Sequence, residues 1–155
     1  MYKISFVHRV TKILVDIMFF GGIIACLALP ISSYFQMGGK PLLGEFYIRY
    51  WSWPSIIILT AGGLCAVYIL YQLKLMFKTL MGQDPFVRQN ISCFRKCGVA
   101  SFLISSLFFV RVFIGFTLGT AIIVIIFAML GLFSLTMKDV FKQAVFYKEE
   151  NDWTV

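Results

Sequence analysis

His8 is the only histidine in the 155 residues, and this alone narrows the chemistry available. A zinc site needs three or four Cys, His or carboxylate ligands, and one histidine near the N-terminus cannot build a His-rich set. Ser-His-acid catalysis needs a histidine oriented by a carboxylate, and His8 has no evident support of that kind. Neither a nucleophile elbow nor a phosphate-binding Gly-rich loop occurs. The chain therefore reads as non-enzymatic, with no cofactor, no metal and no catalytic residue implied.

The four cysteines are the next place to look. Cys26 and Cys65 lie within apolar stretches, where a thiol is an ordinary small packing residue. Cys93 and Cys97 are one helical turn apart, a spacing open to a redox or metal-sensing pair and equally to plain packing. Cys26 also ends a weak lipoprotein-like run, Ile23-Ile24-Ala25-Cys26, but the apolar stretch is long for a signal and Asp16 interrupts it, which favours an uncleaved first helix. Among charges, Asp16 lies about one turn inside the first apolar stretch and Arg111 near the far end of the third. Intramembrane charges can mark ion pathways, but these two fall near opposite ends. Asp16 is expected to cap the helix or to pair with Arg9 or Lys12 at the inner face, instead of serving a proton relay.

The elements that position these residues follow from composition. With 60% hydrophobic residues, 14% charged ones and a mean hydropathy of +0.87, the chain is too apolar for one small water-soluble core. Four stretches, at about 13–29, 54–73, 98–111 and 116–137, read as helices crossing an apolar layer about 30 Å thick. Pro30 is expected to stop the first, Trp51, Trp53 and Pro54 to open the second, and Gly115 to Gly119 to form the turn between the last two. The fold expected is an all-α integral membrane four-helix bundle in a single domain, 1–155. Gly21-Gly22, Gly62-Gly63 and the Gly115/Gly119 pair read as close helix contacts.

Lys3, Arg9, Lys12, Lys74, Lys78, Arg88, Arg95, Lys96, Lys138, Lys142 and Lys148 fall on one side of this topology, against Lys40, Arg49 and Arg111 on the other. That asymmetry predicts both termini in the cytoplasm. The formal charge of +7 is then a topology signal with anionic lipid as its default partner, and direct nucleic-acid binding is not expected.

Helix two continues past Tyr71, because Leu73, Met76, Phe77 and Leu80 share a face. Gly82 is expected to end it, with Asp84 as N-cap and Pro85 as first residue of the next helix. In that helix Phe86, Asn90, Cys93 and Cys97 share a face with Phe94 beside them, while Arg88, Ser92, Arg95 and Lys96 turn to water or lipid phosphate. The result is a cytoplasmic helical hairpin, 72–97. The tail, 138–155, continues as a helix with Val140, Phe141, Ala144 and Val145 on an apolar stripe, and closes in Glu149, Glu150, Asn151 and Asp152. It is either a solvated helix end or a segment folded back on the basic hairpin.

The run Leu80 to Asn90 with Phe94 to Gly98, and the closing residues Asp139 to Ala144 and Lys148 to Val155, resemble the YoaS-like family of small bacterial four-span membrane proteins, which has no assigned activity. The matching positions are Gly82, Pro85, Phe86, Asn90, Arg95 and Gly98, then Asp139, Phe141, Glu149, Glu150, Asn151 and Asp152; Trp153 and Val155 replace the Leu and Ile of the family's ending. The resemblance implies a bacterial cell-membrane protein that holds or silences a small helix-turn-helix transcription regulator. It makes Phe86, Asn90, Arg95, Asp139, Glu149, Glu150, Asn151 and Asp152 candidate partner-binding residues, or else residues that lock hairpin to tail. The alternatives are an accessory or structural subunit of a membrane complex, homo- or hetero-oligomeric, and a small transporter or channel component.

Overall fold

A computed structural model describes residues 6–36, 53–81 and 86–153. They form four helices, α1 (Phe6–Gln36), α2 (Trp53–Met81), α3 (Arg88–Ile114) and α4 (Leu118–Trp153), with no strand among the described residues. Each contains a segment long and apolar enough to cross a membrane: Val10–Ile31, Pro54–Thr79, Arg88–Ile114 and Leu118–Asn151. The all-α, multi-pass reading holds. The 36 residues of α4 extend about 54 Å at 1.5 Å per residue, well beyond a hydrocarbon core of about 30 Å, so a long part of α4 lies outside it. The charges of α4 begin at Lys138, which identifies its C-terminal part as the projecting one.

The substantial contacts join consecutive helices, most extensively α3 with α4, then α2 with α3, then α1 with α2. Contacts along each pair show every neighbour to be antiparallel. Asp16 of α1 meets Lys74 of α2, Thr79 of α2 meets Asn90 of α3, and Arg88 of α3 meets Glu149 of α4. The start of α1 and the end of α4 therefore share one end of the bundle, and the described basic residues other than Arg111 gather there.

Close approach is set by small residues. A Cβ on Gly98 would lie 3.0 Å from Leu135 and 3.3 Å from the Gly131 carbonyl, and one on Gly131 would lie 3.0 Å from the Phe102 ring. Ser101 and Ser105 fill the same seam. Ser101 is fully buried and donates to the Cys97 carbonyl at 2.8 Å, whereas Ser105 crosses to the Val124 carbonyl at 3.0 Å. Between helices in an apolar solvent this is the expected glue, since burial of apolar surface drives nothing there. Gly62 under Phe108, Gly63 against Cys26 and Gly22 against Val67 confirm the expected glycine contacts; Gly21, Gly115 and Gly119 have nothing within 4 Å. Glycine spacing gives the possibility of an approach, and only the facing helix decides it.

Two expectations about helix ends are corrected. Pro30 does not stop α1, which continues to Gln36. An apolar helix offers its backbone no competing water, so one missing N–H is tolerated there. Nor does α3 begin at Pro85. Its N-cap is Val87, with extended dihedrals (φ −119°, ψ 148°) and no side-chain cap, and its first residue is Arg88. The Val87 carbonyl accepts the Asn90 N–H at 3.0 Å, so burial of Asn90 against α2 sets the first turn. Gly82, Asp84 and Pro85 lie outside the described residues. The turn between α3 and α4 falls at Gly115–Thr117 as expected, with the Gly115 N–H donating to the Arg111 carbonyl at 3.0 Å.

Candidate functional site

The first two turns of α3 have one face committed to packing. Asn90, Cys93 and Cys97 are 3%, 2% and 7% exposed, as their i, i+3, i+7 spacing predicts. All four cysteines are free thiols, and the burial of Cys93 and Cys97 makes them packing residues by position. Among the described residues no three His, Cys, Asp or Glu side chains gather where a metal could be held.

Asn90 fastens α3 to α2. Thr79 Oγ1 lies 2.8 Å from its Oδ1 and 2.7 Å from the Met76 carbonyl. One hydroxyl proton cannot serve both acceptors. Both contacts are satisfied if the amide is turned so that its NH₂ donates to the hydroxyl while the hydroxyl donates to Met76. A side chain buried in this way positions the hairpin and presents no surface to a partner.

Phe86, just before α3, reaches α4. Its ring lies 5.7 Å from that of Phe141, which also takes Phe94 at 4.8 Å. Phe141 is therefore a packing point between hairpin and α4, while Phe86 keeps 44% of its surface exposed. Along the expected stripe of α4, Val145 is buried, Phe141 and Ala144 are half-buried, and Val140 points out.

Beside this aromatic cluster runs a groove of about 560 Å³ between α3 and α4, lined by Arg88, Ile91, Ser92, Arg95, Lys138, Lys142, Val145, Phe146 and Glu149. Four cations face one carboxylate. Arg88 holds Glu149 bidentately, Nε at 3.0 Å and Nη2 at 2.9 Å, and this hydrogen-bonded guanidinium pulls the Glu149 carboxyl below its ordinary value. Lys138 lies 3.0 Å from Asp139, which is exposed and does not line the groove. Arg95 and Lys142 are exposed lining residues on facing helices.

Of the eight candidate residues, the structure thus brings Arg95 and Glu149 into one groove with Phe86 beside it, and buries Asn90. Glu150 and Asn151 are exposed on the same helix end; the side chain of Asp152 lies outside the described residues. Through Trp153 the tail continues α4 as a helix, and Glu149 pairs with Arg88 of the hairpin from helix to helix. Arg88, Lys138 and Lys142 were not among the candidates, although an i, i+4 step from Lys138 to Lys142 on a helix is visible in the chain.

A second charged contact corrects an expectation. Asp16 reaches across to Lys74 of α2, Oδ1 to Nζ 2.8 Å, and not to Lys12 on its own helix; the side chain of Arg9 lies outside the described residues. Asp16 Oδ1 accepts no hydrogen bond, so the contact is an ion pair by distance. The Lys74 ammonium also lies 5.4 Å from the ring centres of both Phe19 and Phe20. Gln72, next to it in sequence, is 2% exposed with its Oε1 unbonded.

Four long apolar helices in antiparallel order, held by small-residue seams and carrying their charges, Arg111 apart, at one end among the described residues, define a multi-pass helical membrane protein. Residues 47–155 match the model of a protein family of unknown function, DUF2975, and the chain belongs to that family. The match takes in α2, α3, α4 and the whole groove, and leaves α1 outside. No curated protein and no solved structure matches the chain.

Proposed function

We propose that the chain is a non-enzymatic protein of the bacterial cytoplasmic membrane whose charged end lies in the cytoplasm and docks a soluble protein partner. The α3–α4 groove supports this reading. It lies on the projecting part of the bundle, sets four cations against one carboxylate, and has the exposed Phe146 in its lining, while the exposed Phe86 packs on Phe141 of the same helix, α4. Aromatic anchors ringed by charge are the usual composition of an interface centre, and the excess of cations calls for an acidic patch on the partner. The YoaS-like resemblance supplies the partner's identity, a small helix-turn-helix regulator that membrane binding would keep from its DNA.

The test is affinity purification of the full chain from native membranes, in parallel with Phe86→Ala, Arg95→Glu and Lys142→Glu. The reading predicts recovery of a helix-turn-helix protein with the native chain and loss of most of it with each variant. Recovery of no soluble partner, or recovery indifferent to all three substitutions, contradicts it.

A further inference from the structure

On the other side of Arg95 a different groove opens, between α2 and α3. It has a volume of about 450 Å³ and is lined by Leu64, Cys65, Tyr68, Arg95, Lys96, Val99, Ala100 and Leu103. Its lining holds two cations and no acid. Arg95 and Lys96 lie at one end, while Val99 and Leu103 continue the wall along α3 for about 12 Å at 1.5 Å per residue. Lys96 and Val99 are exposed, Leu103 is 53% exposed and Tyr68 is 42% exposed, so the groove is open along its length.

The level of the two cations matters. Arg95 and Lys96 immediately precede Cys97 and Gly98, where a run of α3 without charge begins and continues to Val110, and Gly98 packs on α4 at Leu135, three residues before Lys138. Arg95 and Lys96 therefore stand at the edge of the apolar layer, the depth at which lipid phosphates lie, with an apolar channel leading inward from them. Three of the acids are paired with other cations, Asp16 with Lys74, Glu149 with Arg88 and Asp139 with Lys138.

We infer that the α2–α3 groove is a binding site for an anionic phospholipid, its phosphate between Arg95 and Lys96 and an acyl chain against Leu64, Tyr68, Val99 and Leu103. A guanidinium can take two phosphate oxygens in its planar fork while the ammonium adds a point charge. The apolar wall distinguishes a lipid from a soluble phosphate compound, which would leave that wall wet. This site does not depend on the partner reading, since it uses the opposite flank of α3. Arg95 is the one residue the two grooves share, so a seated lipid would fix the side chain that borders the partner groove.

The test is native mass spectrometry of the full chain after equilibration in bilayers of equal phosphatidylcholine and phosphatidylglycerol. The native chain is expected to retain phosphatidylglycerol in preference. Lys96→Gln is expected to lower that preference about fivefold, the effect of one cation near an anionic surface. Val99→Trp, which keeps both charges and blocks the channel, is expected to lower retention of lipid altogether. Lys142→Gln, in the other groove, is expected to change neither. Equal retention of the two lipids by the native chain overturns the inference, as does indifference to both Lys96→Gln and Val99→Trp. An equal loss of preference with Lys142→Gln overturns it in favour of general surface charge. Displacement of the lipid by inorganic phosphate or glycerol phosphate overturns it in favour of a soluble anion.

Discussion

The α3–α4 pair and the α1–α2 pair solve the same problem differently. Both must hold two apolar helices together in a solvent as apolar as themselves, where burial alone gives no driving force. In α3–α4 the backbones meet across Gly98 and Gly131, Ser105 bonds a facing carbonyl, and a third of the apolar window of α3 is buried. In α1–α2 the contacts are fewer points: Gly22 under Val67, Gly63 under Cys26, and the Asp16–Lys74 ion pair, with only 11% of the α1 window buried. The family match covers α2, α3 and α4 and leaves out α1, so its boundary falls inside the looser pair. The lesson is that α3–α4 is the rigid frame for the candidate site, and α1 is attached to that frame mainly through α2.

Overpacking the tight seam should have the largest effect. Gly98→Val places new atoms against Leu135 and the Gly131 carbonyl, and a backbone carbonyl cannot move aside as a side-chain tip can. A loss of about 1–3 kcal/mol is expected in reversible denaturant unfolding. Gly119→Ala, where nothing lies within 4 Å, should cost nothing measurable. Equal effects would erase the distinction between seam and open glycines.

The hairpin lock comes next. Asn90→Ala should cost about 1–3 kcal/mol because it strips a partner from a buried polar cluster. Combined with Thr79→Val the loss should be clearly less than the sum of the two, by the same unfolding measurement. Additivity would mean that the 2.8 Å contact carries no coupling.

Breaking the α1–α2 ion pair should matter less. Asp16 and Lys74 are each about a third exposed, so Asp16→Asn is expected to cost at most about 1 kcal/mol. Its readout is the accessibility of α1 to cysteine-directed labelling at an introduced site, with α3–α4 unchanged. A loss as large as that of Gly98→Val would reverse the ranking of the two pairs.

The smallest effect lies at the surface pair of Arg88 and Glu149. Because Glu149 titrates below its ordinary value, the contribution of the pair is complete above the unfolded glutamate value of about 4.3 and is lost as pH falls through the lower folded value. Protease protection of the end of α4 should therefore persist at about pH 5 and fade only in stronger acid. Glu149→Gln should show the weakened protection at neutral pH, with no further change on acidification.

These contrasts also explain what could be read in the chain. The buried face of Asn90, Cys93 and Cys97 is local periodicity, and periodicity needs no partner to be legible. The helix-length apolar runs and the turn at Gly115 are legible for the same reason. The start of α3 was not, because Asp84-Pro85 is a strong local signal overruled by a tertiary contact, the burial of Asn90 against Thr79. The partner of Asp16 was not, because Arg9 and Lys12 are near in sequence while Lys74 is near only once the register of α1 on α2 is known. Of the site, Arg95 and Glu149 are legible through a family resemblance, but their common groove depends on Lys138 and Lys142, whose positions follow from the α3–α4 register.

The central claim, that the α3–α4 end is a docking surface for a soluble protein, is tested most directly by photo-cross-linking in living cells. A photoreactive phenylalanine analogue is placed at Phe146, which lines the groove, or at Phe113, which is 79% exposed near the far end of α3. The account predicts a discrete adduct with a soluble protein from Phe146 and none from Phe113. Adducts from both positions alike, or from neither, would contradict it.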